Sequence, residues 1–365
     1  MLTPDELLDL TTQYHDLGVH RTGTAPDLAT ADWFFGLLED RGAALDRREV
    51  IFDRYDVSAS LVDAGGEAIP TDAVYYEFLG RFEGTIGAGA VDVASTTQNG
   101  TGNATTWTPM LTERDRPLVV VVEDGPAGEV VMPNRAIGDC ERPPAIVVPS
   151  DAAVRLDGAT MTVDAQLVPG ICEASSVVLG DGPPVTITTP LSGWFGCASE
   201  RGSGAAVAID LAARLAETHA VTVVACSGHE LDHLGLHTWL DDAEANGTVP
   251  PGPVIHLGAS VAAAVDGVLE PRIVLHDAAA SPEWAAELVQ LVEPAAYRTV
   301  APEDPWPGEG RNWRPHTPHV LSFTGAGHWF HTAGDTPART VTAAALGTAR
   351  DAVWAASSSF LRSVG

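Results

Sequence analysis

The pattern of apolar and polar positions divides the chain into three parts. Apolar residues such as Trp33 and Leu37 recur at helical spacing in residues 1–55, which predicts two helices followed by a strand. Residues 56–178 instead contain short β-branched runs separated by Gly, Asn and Pro, which predicts a β-rich insert. Strands alternate with helices over residues 179–365. We therefore predict an α/β fold in which the first and last parts share one helix-covered, mostly parallel central sheet.

Length and composition indicate a globular chain with a sizeable core. The chain has 365 residues, of which 45% are hydrophobic. No apolar run approaches the roughly 20 residues that span a bilayer, and the opening MLTPDELLDLTTQY lacks the pattern of a signal peptide. We therefore expect a cytoplasmic protein. The four cysteines form no C-x-x-C pair, which is typical of reduced thiols.

The net charge of the chain limits the classes of partner that it can be expected to bind. With 20 Lys and Arg against 49 Asp and Glu, the formal net charge is −29. Such a surface repels phosphate backbones and anionic lipids, so nucleic acids and membranes are not expected partners. The remaining expectation is a small-molecule or peptide-like substrate.

The segment Val221–Leu240 contains a predicted strand that ends at a reactive His-Glu pair, His229 and Glu230. In open α/β sheets such strand ends form the ligand crevice. The H-E-x-x-H pattern would make His229 and His233 zinc ligands, with Glu230 as general base. Alternatively, Glu230 is a ligand and His229 is the acid/base. The apolar strand runs straight into His229, so this residue lies at the start of the helix or before it. This position favours the second interpretation, with His233 as the runner-up ligand.

Five pieces of sequence occur in an order that resembles a known superfamily. They are HRTGTAPDLATADWFFGLLEDRGA, PAIVVPSDAAVRL, VTITTPLSGWFGCASERGSGAAVAIDLA, the strand that ends at the His-Glu pair, and FHTAGDTP. Together they resemble the zinc aminopeptidases, a superfamily that also contains the glutaminyl cyclases. Residues 56–178 are similar to its protease-associated-type insert.

The resemblance implies a set of metal ligands and a catalytic residue. Glu200 stands where the family has its bridging aspartate, Glu230 where it has a ligand glutamate, and His331 lies in the family's His-Thr-x-x-Asp-Thr turn. His229 replaces the general-base glutamate of the family. An imidazole titrates near pH ~6.5, which suits acid/base work at neutral pH.

The departures from the family pattern remove one metal of the usual pair. Pro190-Leu191-Ser192 stands where the family has His-x-Asp, and Gly258 stands where it has an aspartate ligand. Both losses concern the same ion, so the resemblance implies a mononuclear site. Zinc is the first choice, and manganese, iron and cobalt are compatible with the oxygen-rich ligand set.

Further residues are expected beside this site. Asp335 follows His331 in the same turn, where it either supports the imidazole or caps the next helix. Aromatic and histidine side chains in loops are candidates for the pocket wall: Trp194, Trp313, Trp329 and His328.

These features predict a metal-dependent hydrolase with a mononuclear site, acting on an amide bond of a small amino-acid or peptide-like substrate. Two alternatives remain open. One is cyclase, lyase or isomerase chemistry on the same metal, in which the ion polarises a carbonyl. The other is a non-catalytic binding protein descended from an aminopeptidase, which predicts no stoichiometric metal.

Overall fold

The computed structural model describes residues 1–87, 89–98, 110–277, 281–300 and 306–365. The helices are α1 (Pro4–Asp16), α2 (Ala25–Glu39), α3 (Ser203–Leu215), α4 (Leu234–Ala245), α5 (Pro282–Val292), α6 (Gly310–Trp313), α7 (Pro337–Thr340) and α8 (Ala343–Val364). The strands are β1 (Ala44–Asp46), β2 (Glu49–Val62), β3 (Ala68–Ile69), β4 (Asp72–Ala73), β5 (Gly80–Thr85), β6 (Asp92–Thr96), β7 (Leu118–Val122), β8 (Ala145–Pro149), β9 (Thr160–Leu179), β10 (Pro184–Pro190), β11 (Ala220–Cys226), β12 (Val254–Leu257), β13 (Ala264–Val265), β14 (Val268–Leu269), β15 (Arg272–His276), β16 (Tyr297–Val300) and β17 (Val320–Thr324).

The central sheet has the strand order β16-β15-β17-β12-β10-β11-β9-β2-β3. The pairs β15–β16, β12–β17, β10–β12 and β10–β11 are parallel, and β17–β15 is antiparallel. Ile187 of β10 lies between Val223 and Ile255 of the neighbouring strands, and all three side chains are buried. Strands that are buried at nearly every position, as β10 and β11 are, have both faces covered by other elements of the fold. The predicted helix-covered central sheet is confirmed, and its strands from β16 to β11 are mostly parallel, whereas β9, β2 and β3 extend it through antiparallel pairs.

Helix α3 packs closely against the central sheet, and the turn before it carries a candidate site residue. It is rich in alanine, and most of its residues are buried. Small side chains allow close approach, and α3 contacts the sheet as well as α1, α2 and α8. A single π-turn, Ala198–Gly202, precedes α3 and carries Glu200 into the interior.

Two long strands connect the central sheet to the β-rich part of the chain. β2 pairs with β9 along its whole length, from Glu49 opposite Glu173 to Val62 opposite Thr160, and the end of β9 then pairs with β11. A separate sheet has the order β4-β8-β7-β6. The boundaries expected at 55/56 and 178/179 therefore fall inside β2 and β9. The division into 1–55, 56–178 and 179–365 stays a prediction.

Two further features concern the cysteines and the possibility of a membrane-spanning helix. All four cysteines are free and buried. None of the helices formed by the described residues combines the length and apolar composition that a bilayer crossing needs.

Candidate active site

The backbone after β11 turns sharply and brings two histidines together. Gly228 has a φ of 86°, and His229–Leu231 form one 3₁₀ turn. Asp232 and His233 follow with φ values of 54° and 62°, before α4 begins. Left-handed backbone is uncommon in residues other than glycine and is found at functional sites. The H-E-x-x-H pattern therefore lies on a turn rather than a continuous helix, with His229 before the helix.

His229, His233 and Glu309 form a buried cluster with the composition of a metal site. One potential ligand atom from each lies within 4.8 Å of the other two, the only such group of three or more His, Cys, Asp or Glu among the described residues. Nδ1 of His229 lies 2.9 Å from Oε1 of Glu309, and the two imidazole centroids are 4.9 Å apart. The second oxygen of Glu309 is buried and accepts no hydrogen bond from a described residue. Two imidazoles and a carboxylate suit a catalytic zinc ion.

Glu309 was missed in the sequence because it lies in a loop without a periodic pattern. Its neighbours Gly308 and Gly310 are the one available signal. Gly308 has a φ of 71°, and a Cβ on Gly310 would lie 2.8 Å from Oγ of Ser322. A carboxylate between two glycines that the backbone requires indicates a fixed position. Asn312, one residue before the end of α6, pairs through its side-chain amide with Nδ1 of His233 at 2.9 Å.

Burial and one arginine dominate the electrostatics of the cluster. Burial raises the pKa of Glu309 to about 8, and the positive charge of Arg201 opposes this rise. Burial, followed by the charge of Arg201, lowers the pKa of His229 well below its ordinary value. The same two causes lower the pKa of His331 to about 3. In the absence of a bound cation, both imidazoles are therefore neutral at physiological pH.

The carboxylate of Glu230 lies in a network of hydroxyl groups. Its Oε1 accepts hydrogen bonds from the backbone N–H and the hydroxyl of Thr22, both at 2.7 Å. Its Oε2 accepts one from the hydroxyl of Ser192 at 2.7 Å. Glu230 also lines a small cavity together with Trp194 and Arg21. The carboxylate is thus held in one orientation at a cavity wall.

Glu200 and His331 lie close together, and the guanidinium of Arg201 lies beside them. Nε2 of His331 lies 3.6 Å from Oε1 of Glu200, and Nη2 of Arg201 lies 2.9 Å from the same oxygen. The structure therefore brings two of the three ligands implied by the resemblance together and directs the third, Glu230, towards Thr22. The ligand set Glu200, Glu230 and His331 stays a prediction.

Asp335 supports the turn that carries Glu200. Its carboxylate accepts hydrogen bonds from the backbone N–H groups of Ser199 and Glu200, both at 2.9 Å, and from the hydroxyl of Thr340 at 2.7 Å. Burial raises the pKa of Asp335. This carboxylate thus links the π-turn to the segment that follows His331.

The aromatic candidates lie in three different places. Trp194 lines the cavity beside Glu230 and donates a hydrogen bond to Asn134 at 3.1 Å. Trp313 is buried against Trp239, with ring centroids 5.7 Å apart. A second pocket, beside the β13–β14 hairpin, is lined by His328 and Trp329.

A segment from the β-rich part of the chain contacts the site directly. Met132 forms two hydrogen bonds with His331. Its N–H donates to the carbonyl of His331 at 3.0 Å, and its carbonyl accepts from Nδ1 of the imidazole at 2.6 Å. The N–H of Arg135 donates to the carbonyl of Glu230 at 2.8 Å. Residues 132–135 therefore position both His331 and the turn of Glu230.

The space that a side chain at Gly258 would need is filled by His256, which lies two residues earlier on β12. A Cβ on Gly258 would lie 2.6 Å from Cε1 of His256 and 2.9 Å from Oγ1 of Thr324. Nδ1 of His256 pairs with the hydroxyl of Ser322 at 2.8 Å. A side chain at Gly258 therefore has no room while His256 keeps this position.

Comparison with known proteins gives structural neighbours only. No family model and no curated protein sequence matches the chain. A zinc aminopeptidase from Bacillus subtilis superposes with a TM-score of 0.70 at 12% identity, covering 98% of this chain and 95% of that one. A peptidase M28 precursor from Shewanella amazonensis gives 0.65 at 14% identity, covering 99% and 96%. The glutaminyl cyclase of Porphyromonas gingivalis gives 0.52 at 12% identity, covering 99% and 98%.

Identities this low establish the fold alone, and both branches of the superfamily named above are among the neighbours. The chain therefore has the fold of the superfamily that contains the zinc aminopeptidases and the glutaminyl cyclases.

Proposed function

We propose that the protein is a metal-dependent hydrolase with one divalent ion, zinc first, that cleaves an amide bond in a small amino-acid or peptide-like substrate. The observation that carries the proposal is the convergence of His229, His233 and Glu309 beyond the carboxyl end of β11. In α/β folds this is where ligands bind. The fold is shared with zinc aminopeptidases, which supports a peptide-like substrate.

In this proposal, His229, His233 and Glu309 hold the ion. When bound, such an ion polarises a carbonyl and lowers the pKa of water towards ~7. Outer partners fix the ligands: the amide of Asn312 lies against His233, which limits rotation of that ring. Glu230 takes the role of general base that the H-E-x-x-H pattern gives it. Its fixed carboxylate at the cavity wall supports this assignment.

The cavity beside Glu230 has a volume of about 10 Å³, which gives room for one polar group of a substrate rather than for a whole molecule. The guanidinium of Arg21 lies 4.9 Å from the ring centroid of Tyr75, and Trp194 packs edge-on against the same ring. These three side chains line the cavity together with Glu230. Aromatic walls with a few polar groups are typical of small-ligand sites. We propose that Arg21 pairs with a carboxylate or carbonyl oxygen of the substrate.

A second candidate function depends on His229 and Glu309 without a bound metal ion. The 2.9 Å contact between Nδ1 of His229 and Glu309 is the geometry of an acid/base dyad in which a carboxylate orients an imidazole. His229 would then move protons, as the sequence predicts, in a cyclase, lyase or isomerase reaction.

Metal content separates these proposals. We would count ions per chain in wild-type protein purified without chelators and in His233→Ala, Glu230→Gln and His237→Ala. His237 is exposed on α4 and serves as the matched control. We expect about one ion in wild type, Glu230→Gln and His237→Ala, and none in His233→Ala.

Other outcomes reject the first proposal in distinct ways. An ion that persists in His233→Ala and is lost in Glu230→Gln would favour the set Glu200, Glu230 and His331. A metal-free wild type would reject the metal site and leave the acid/base dyad and the non-catalytic binding protein, which differ in whether the protein turns over a substrate. For an active protein, product analysis in labelled water then distinguishes hydrolysis from cyclisation or isomerisation.

A further inference from the structure

Arg201 is an arginine without solvent exposure, placed against a buried carboxylate. The exposure of its side chain is 0%, and that of Glu200 is 1%. Nη2 lies 2.9 Å from Oε1 of Glu200, and Nε donates a hydrogen bond to the carbonyl of Ser192 at 2.8 Å. A guanidinium keeps its charge under all physiological conditions. A fixed positive charge is therefore built into the π-turn that precedes α3.

Glu200 and His331 present two acceptors to each other. Nδ1 of His331 donates to the carbonyl of Met132 at 2.6 Å, which leaves Nε2 of the neutral ring with a lone pair. This lone pair lies 3.6 Å from Oε1 of Glu200. No described residue forms a hydrogen bond of good geometry with either atom. Two buried acceptors this close repel each other, and a positive charge beside them offsets that repulsion.

That charge is either a divalent ion or the guanidinium of Arg201. A divalent ion between Glu200 and His331 would place a second, larger positive charge beside Arg201 in a buried site, where repulsion is weakly screened. The third ligand of such an ion, Glu230, already has both oxygens bonded to Thr22 and Ser192. The residues around Glu200 and His331 therefore do not fit a divalent ion.

We infer that Arg201 takes the place of the metal ion that the fold family implies between Glu200 and His331. The inference does not depend on whether the cluster of His229, His233 and Glu309 binds an ion.

The first test leaves Arg201 unchanged. In His233→Ala the proposed metal cluster is broken, and any remaining ion must be held elsewhere. We would equilibrate this full-length variant with zinc, remove free zinc and count bound ions. We expect none. An ion in His233→Ala that disappears when His331→Ala is added would overturn the inference.

The second test removes the guanidinium. Arg201→Gln in the His233→Ala background should bind zinc at least 10-fold more tightly than its parent, because the repulsion by the guanidinium is removed while Glu230 keeps its own partners, and should lose this gain when His331→Ala is added. Arg201→Lys retains a cation and should show no such gain. A folded Arg201→Gln protein with the zinc affinity of its parent would contradict the inference. If Arg201→Gln does not fold, the first test decides alone.

Discussion

Oε1 of Glu309 lies 2.9 Å from Nδ1 of His229, although 80 residues of chain separate them. Both side chains are buried, so the contact fixes the loop before α6 against the end of β11. Without the other as a partner, each side chain would be a buried polar group with one unsatisfied hydrogen bond, which lowers the free energy of unfolding. Together with His233 they form a site whose parts depend on one another.

This dependence predicts a non-additive loss of zinc binding. Glu309→Gln and His233→Asn should each weaken zinc affinity by about 100-fold or more, since each removes one of the three ligands of the proposed metal site. The double variant should lose much less than the product of the two effects, because the first change already dismantles the site. Competition titration with a chromophoric chelator measures all three. Independent, multiplicative losses would show that the residues do not share an ion.

Asp335 should contribute strongly to stability. Asp335→Ala leaves the N–H groups of Ser199 and Glu200 buried without acceptors, and it should lower the free energy of unfolding by about 4 kcal/mol. Thr340→Val removes only one hydrogen bond to the same carboxylate and should cost about 1 kcal/mol. Urea denaturation measures both. Equal effects would mean that the backbone contacts contribute little.

Ser192 should support the turn that carries Glu230. Its hydroxyl donates to Glu230 and accepts from the N–H groups of Gly228 and His229 at 2.8 and 3.2 Å. Ser192→Ala should therefore cost about 2 to 3 kcal/mol of unfolding free energy. The exposed Ser363 gives a control, and Ser363→Ala should change stability by less than ~0.5 kcal/mol. A loss at Ser192 no larger than at Ser363 would refute this role.

The packing of His256 against Gly258 predicts a coupling between these positions. Gly258→Ala forces the new Cβ into Cε1 of His256 and should destabilise the protein by about 1 to 3 kcal/mol. In a His256→Ala background the same change should cost at least 1 kcal/mol less. A double-mutant cycle of urea denaturation curves gives the coupling. A cycle that closes to zero would show that the clash with Thr324 dominates.

His20 should make the protein sensitive to acid. It is fully buried, and burial lowers its pKa to about 3. The unfolded chain takes up the proton near pH ~6.5 whereas the folded one does not, so stability decreases as pH falls from about 6.5 towards 3. The loss from this group at pH ~5 is about 2 kcal/mol. His20→Gln should therefore show a smaller decrease in unfolding free energy between pH ~7.5 and ~5 than wild type. Parallel curves would contradict this.

The sequence predicted the fold well because local patterns decide it. Period and composition identify the helices at either end and the β-branched strands between them, and strands such as β10 and β11 are buried on both faces. The order of the pieces then indicated the superfamily fold, which the structural neighbours confirm.

The site was less predictable because long-range contacts decide it. His233 reaches His229 through two left-handed residues, which helical spacing does not indicate. Glu309 lies in a loop of Pro, Gly and Trp without periodicity. The charge of Arg201 was visible in the sequence, but its burial depends on α3 and the π-turn, and so does its contact with Glu200.

Residues 132–135 have a consequence for how this scaffold can change during evolution. Their backbone holds the imidazole of His331 on one side and the carbonyl of Glu230 on the other. Backbone contacts of this kind tolerate many substitutions but not a change in chain length or path. The β-rich region therefore cannot be exchanged as an independent cassette between relatives, and a circular permutation or graft that shifts this short stretch would disconnect both halves of the crevice at once.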